Sequence, residues 1–141
     1  MMKNNKIDWI IHLCSNGVCP ECGQEETHFL PFACNAHTHG MEKYGHPDFQ
    51  IVLQLSPEEI SYLLNIMGLR VKAGEVFHSG DTVSGIYENY NISLKEYEET
   101  GRKVLRIILP DESNHFPDED CCDNIYKLQL LETDALFLKT P

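Results

Sequence analysis

A chain of 141 residues, 42% hydrophobic and 23% charged, has the size and balance of one soluble globular domain able to bury a core. Eleven basic against twenty-two acidic residues leave a formal charge of −11, which speaks against nucleic acid, because a phosphate backbone calls for a basic footprint. No apolar run approaches the roughly 18 residues of a membrane span.

The start, MMKNNKIDWIIHL, is basic, but Asp8 and His12 interrupt a short apolar stretch and no small-residue cleavage site follows. A secretory signal is therefore not expected, and the cysteines are expected to be reduced in a cytoplasmic protein. Ile7, Ile10 and Ile11 are spaced for one face of a short helix, with a strand over Ile7–Leu13 as the alternative. Thr27–Ala33 reads as a short strand, and Gly40–Asp48 as a loop. Gln50–Leu55, QIVLQL, is short, apolar and β-branched, as a buried strand should be.

Ser56-Pro57-Glu58-Glu59 is a helix start, with a serine cap, proline at the first position and Glu59 completing a capping box. Ile60, Leu63, Leu64, Met67 and Val71 make one apolar stripe, and Ala73-Gly74 ends a helix over residues 57–72. Gly74–Gly85 reads as two short strands about a turn at Ser79-Gly80-Asp81, and Ile86–Tyr97 alternates as a strand. Arg102–Leu109, RKVLRIIL, is a second strong strand. An acidic loop carrying His115, Cys121 and Cys122 follows, then Ile125–Leu131 as strand or helix and a final strand or tail. The expectation is one α+β domain over residues 1–141: a mostly antiparallel sheet, both strong strands interior, one main helix packed on it, and a zinc-knuckle segment over residues 14–37.

The chemistry concentrates in residues 19–55. Cys19-x2-Cys22-x11-Cys34-x2-His37 has the spacing of a four-ligand zinc site. Proline and glycine make Cys19-Pro20-Glu21-Cys22-Gly23 a tight turn that aims two thiolates at one ion. A structural Zn2+ held by Cys19, Cys22, Cys34 and His37 is expected, with His39 or Cys14 as substitute ligand. A redox Cys-x-x-Cys is the competing reading, disfavoured because no βαβ pattern surrounds it, and uncoordinated thiols are a third. His37-Thr38-His39 puts two imidazoles on one face of a strand.

The order HTHGM, GHPDFQIVL, helix, AGEVFHSGD, LPD, HFPDED resembles the bacterial family catalogued as domain of unknown function 4262, over roughly residues 37–118. Thr38, Gly40, Gly45, His46, Pro47, Gly74, Gly80, Pro110, Asp111, Phe116 and Pro117 fall on its pattern. His37 stands at a usually aromatic position, Met41 replaces leucine and Asp48 replaces glutamate. The Cys19–Cys34 block is an addition to the pattern. The resemblance implies a compact α+β domain and no established activity. It suggests that His46, Pro47 and Asp48 form one surface with Pro110, Asp111, Phe116 and Pro117.

The functional expectation is a zinc-stabilised, non-catalytic binding domain, whose charge favours a basic protein as partner. The alternative is a small metal-dependent hydrolase using His37, His39 and His46, with Glu42, Asp48 or Asp111 as general base. A small-ligand pocket between sheet and helix, near His46 and the Pro110-Asp111 loop, is a third reading.

Overall fold

The computed structural model describes residues 6–14 and 29–136. Six strands form one sheet: β1 (Ile10–Cys14), β2 (Ala33–His39), β3 (Asp48–Leu53), β4 (Thr82–Val83), β5 (Ile92–Glu99) and β6 (Arg102–Ile108), in the order β1-β2-β3-β6-β5-β4. Every neighbouring pair is antiparallel except β3 and β6, which run parallel. The fold is α+β, with one long helix, α1 (Pro57–Lys72), packed on one face. Among the described residues no helix is long and apolar enough to cross a membrane.

The helix begins as its sequence dictates. Ser56 Oγ accepts from Glu59 N at 3.2 Å, and Pro57 needs no partner for a missing N–H. Its buried stripe of Ile60, Leu63, Leu64, Met67 and Val71 meets Phe49, Ile51 and Leu53 of β3 and Leu105 and Ile107 of β6. Truncating one such leucine to alanine costs about 2–5 kcal/mol, so this layer supplies much of the packing energy. Both apolar strands are interior.

The opening segment is a strand, not a helix. Only Trp9 buries its ring there, while Ile7 and Ile10 stay exposed. Ile11 and Leu13 pack against the core at the alternating spacing of a strand, and backbone pairing with β2 decides the conformation. Trp9 lies over Gly68 of α1 and donates from Nε1 to Asn65 Oδ1 at 3.0 Å, which ties the start of β1 to the helix.

Further along, the first half of Gly74–Gly85 forms no strand, and β5 begins at Ile92 rather than near Ile86. The segment after the acidic loop takes its helical alternative, α2 (Asn124–Lys127) continued by a 3-10 turn over Leu128–Leu130. Thr133–Leu136 is another 3-10 turn rather than a strand.

The face away from α1 is different in kind. Strand register lines up His12, His37, Gln50, Arg106 and Lys95 across five strands. Gln50 and Arg106 are fully buried here, beside a small apolar cluster of Phe29, Ala33, Val52 and Leu136. The polar residue in the middle of each apolar strand, Gln50 in β3 and Arg106 in β6, is thus not a surface position. It belongs to a buried polar row.

Candidate metal centre

Two consecutive odd positions of β2 and the middle of β1 meet at one end of that row. His37 and His39 share a face because side chains alternate along a strand, and His12 stands directly opposite His37 in the antiparallel register. Ring centroids lie 4.4 Å apart for His12 and His39, 4.9 Å for His37 and His39, and 5.4 Å for His12 and His37. One ligating atom from each lies within 4.8 Å of the others, the one such group among the described residues that could hold an ion. Ligands of a tetrahedral zinc at 2.0–2.1 Å are about 3.3 Å apart. Small side-chain rotations of the half-buried His12 and His39 would close that gap, with His37 as the fixed member at 1% exposure.

The surroundings favour the neutral forms of His37 and His39. Burial pushes His37 down to about 4, against the pull of the Glu99 carboxylate. Burial also lowers His39, helped by the positive charge of Arg102. Glu99 Oε1 lies 3.8 Å from His37 Nε2. Burial works against the Glu99 carboxylate, yet the Arg102 guanidinium and the Thr100 hydroxyl help hold it below the usual carboxylate range. At neutral pH the pair is a carboxylate beside a neutral imidazole, which has a lone pair to offer a metal.

Arg102 joins this cluster to the strand ends. Its Nε donates to Glu99 Oε2 at 2.9 Å, Nη2 to the Thr38 carbonyl at 3.0 Å, and Nη1 to Asp48 Oδ2. Asp48 Oδ1 in turn accepts from Thr38 Oγ1 at 2.7 Å and from Met41 N at 3.0 Å.

Of the expected zinc quartet, the two described members, Cys34 and His37, are not brought together. Cys34 and His37 are three residues apart on one strand and face opposite sides of the sheet. Cys34 sits in the helix-side core, directs its thiol at the Ile51 and Leu53 carbonyls, and is pushed up to about 12 by burial. It is an apolar-core thiol, and it does not converge with His37. Cys19 and Cys22 lie outside the described residues, and Cys14 closes β1 opposite Asn35.

His46 is also remote from the histidine cluster. Its Nε2 accepts from Phe77 N at 3.0 Å, its Nδ1 donates to the Pro47 carbonyl at 2.8 Å, and its ring packs between Phe49 and Phe77. Both nitrogens are used, which corrects the expected hydrolase trio of His37, His39 and His46. His12 is the third imidazole instead.

The expected surface of His46, Pro47 and Asp48 with Pro110 and Asp111 does not form either. Asp48 opens β3 beside Val104, whereas Asp111 follows the far end of the parallel strand β6. Asp111 organises the acidic loop: Oδ1 accepts from Ser113 N and His115 N, both at 2.9 Å, and Oδ2 from Asp123 N at 2.8 Å. These backbone bonds, that of His115 first and Asp123 next, hold its carboxyl below the ordinary range. It lines a groove of about 360 Å³ with Leu53, Leu55 and Tyr126. Phe116 and Pro117 line a separate groove of about 610 Å³ with Gly80 and Lys95. Neither groove includes His46.

Sequence reasoning passed over His12, Asn35, Gln50, Glu99, Arg102 and Arg106. The signal for Gln50 and Arg106 was present: each is a lone polar residue inside an apolar strand, where a buried group must find partners.

A family model described as a domain of unknown function (DUF4262) matches residues 24–123, so β1 and His12 precede the matched region. No curated protein and no solved structure matches the chain. With a match over well more than half its length, the chain belongs to the DUF4262 family.

Proposed function

We propose that this protein is a zinc-stabilised, non-catalytic binding domain in which His12, His37 and His39 hold the metal. The observation that carries the reading is the convergence of three imidazoles from two strands, one of them fully buried. Imidazole nitrogens suit zinc among the divalent ions. Bound there, the ion would pin the edge strand β1 to β2 and so extend the sheet by its outermost strand. The fourth position falls to a cysteine thiolate or to water, which sulfur scattering from the bound ion distinguishes.

The non-catalytic reading is supported by where the expected general bases stand. Asp48 is tied to Thr38, Met41 and Arg102, and Asp111 is saturated by backbone donors at the other end of the sheet. Glu42 is exposed on the turn after β2. The formal charge of −11 favours a basic protein as the bound partner.

Titration of chelator-treated protein with zinc tests the reading. Wild type should bind about one equivalent and gain about 2.7 kcal/mol of stability at a hundredfold excess over Kd. His37→Ala and His12→Ala should lose that gain while remaining folded. Equal zinc binding by wild type and the two variants would overturn it.

A further inference from the structure

The buried polar row dictates, step by step, which nitrogen of His37 carries a proton. A guanidinium has donors only. Arg106, with no exposed surface, donates from Nε to Gln50 Oε1 at 2.8 Å. Its other donors go to the Gln129 and Leu131 carbonyls and to the Thr133 hydroxyl. With the Gln50 oxygen held towards Arg106, its NH2 group faces the other way and donates to Asn35 Oδ1 at 3.0 Å. That orients the Asn35 amide with its oxygen inward. The same oxygen lies 3.2 Å from His37 Nδ1, a bond that requires a proton on Nδ1. In a neutral ring the lone pair is then on Nε2, the nitrogen 3.8 Å from Glu99.

We propose that Arg106, Gln50 and Asn35 are positioning residues that fix the tautomer of His37 and so present Nε2 as its metal-ligating atom. The metal consequence rests on the zinc reading above. The tautomer does not, and it can be read in metal-free protein. Partners that fix the orientation and tautomer of a ligating histidine are typically worth about 10–100-fold in metal affinity. None of these three side chains would itself touch the ion.

Gln50→Glu is the discriminating variant because it changes the direction of the relay with almost no change of shape. A carboxylate at position 50 accepts from Arg106 but cannot donate to Asn35. The Asn35 amide must then turn its NH2 group towards position 50 and His37, so that Nδ1 accepts and the proton moves to Nε2. In 15N spectra of uniformly labelled, metal-free protein at neutral pH, wild type should show His37 with protonated Nδ1 and bare Nε2. The variant should show the reverse, with zinc affinity lowered about 10–100-fold. Asn35→Asp keeps an acceptor for both neighbours and should keep the wild-type tautomer. Should Gln50→Glu fail to fold, Asn35→Leu removes the acceptor and should give a mixture of tautomers.

An unchanged His37 tautomer in folded Gln50→Glu or Asn35→Leu overturns the relay even if zinc binds normally. A tautomer that switches in Gln50→Glu, alongside a wild type that binds no zinc, supports the relay and sinks the zinc reading instead.

Discussion

Thr38 and Asp48 lock the end of β2 to the start of β3: Thr38 Oγ1 donates to Asp48 Oδ1 at 2.7 Å and accepts from Phe49 N at 3.0 Å. Both residues are buried, and Asp48 also takes the Arg102 guanidinium. Thr38→Val should cost about 1–3 kcal/mol, since it leaves a buried N–H without an acceptor. Asp48→Ala should cost about 3 kcal/mol, the low end for breaking a buried pair, because the Arg102 side chain is 27% exposed. In a double-mutant cycle from denaturant melts the two losses should add to clearly more than the double variant loses. Simple additivity would mean that the residues do not act as a unit.

Gly68 is shaped by Trp9. A Cβ at position 68 would stand 2.5 Å from Trp9 Cζ2, and the ring is held by Asn65 and cannot easily retreat. Gly68→Ala gains about 1 kcal/mol of helix propensity, but overpacking costs about 1–3 kcal/mol. The expected net effect is a loss of stability with a red shift of the Trp9 emission, Trp9 being the single tryptophan. Because Trp9 leads directly into β1, zinc binding through His12 should weaken with it. A more stable variant with unchanged emission would contradict this packing.

His46 serves the fold and lies outside the proposed metal site. His46→Ala should cost about 1–3 kcal/mol for the stranded Phe77 N–H, with further loss from the space left between Phe49 and Phe77. Zinc stoichiometry should remain that of wild type. A variant that keeps its stability and loses its metal would return His46 to the site.

The acidic loop should respond to pH through Asp111. Its folded carboxyl titrates below the ordinary value of about 4. The stability it contributes is therefore complete above that value and is lost as the pH falls through the depressed one. Amide exchange at His115 and Asp123 should be slow at neutral pH and remain so down to about pH 4, then rise below it. In Asp111→Ala both amides should exchange fast at every pH. Protection lost above the ordinary carboxylate range would contradict the assignment.

The helix was legible to the residue, because Ser56, Pro57 and Glu59 are local signals that need no tertiary context. The two interior strands were legible from their apolar runs. The proposed metal site was only half legible. His37 and His39 declare a shared face by alternation, but β1 exists through pairing with β2, and His12 becomes a neighbour only once that register is known. Cys34 and His37 were paired by a spacing drawn from compact turns. On a strand the same spacing sends the two side chains to opposite faces. The relay through Gln50 and Asn35 joins residues 35, 50 and 106, and no pattern in the chain announces a contact across that separation.

The most direct test of the zinc site is X-ray absorption at the zinc edge on protein loaded with one equivalent of metal. The spectrum should show coordination dominated by imidazole nitrogen at about 2.0–2.1 Å, with the outer-ring scattering of three histidines. That signal should collapse in His37→Ala. A shell of sulfur alone at about 2.3 Å, or a spectrum unchanged by His37→Ala, would contradict it.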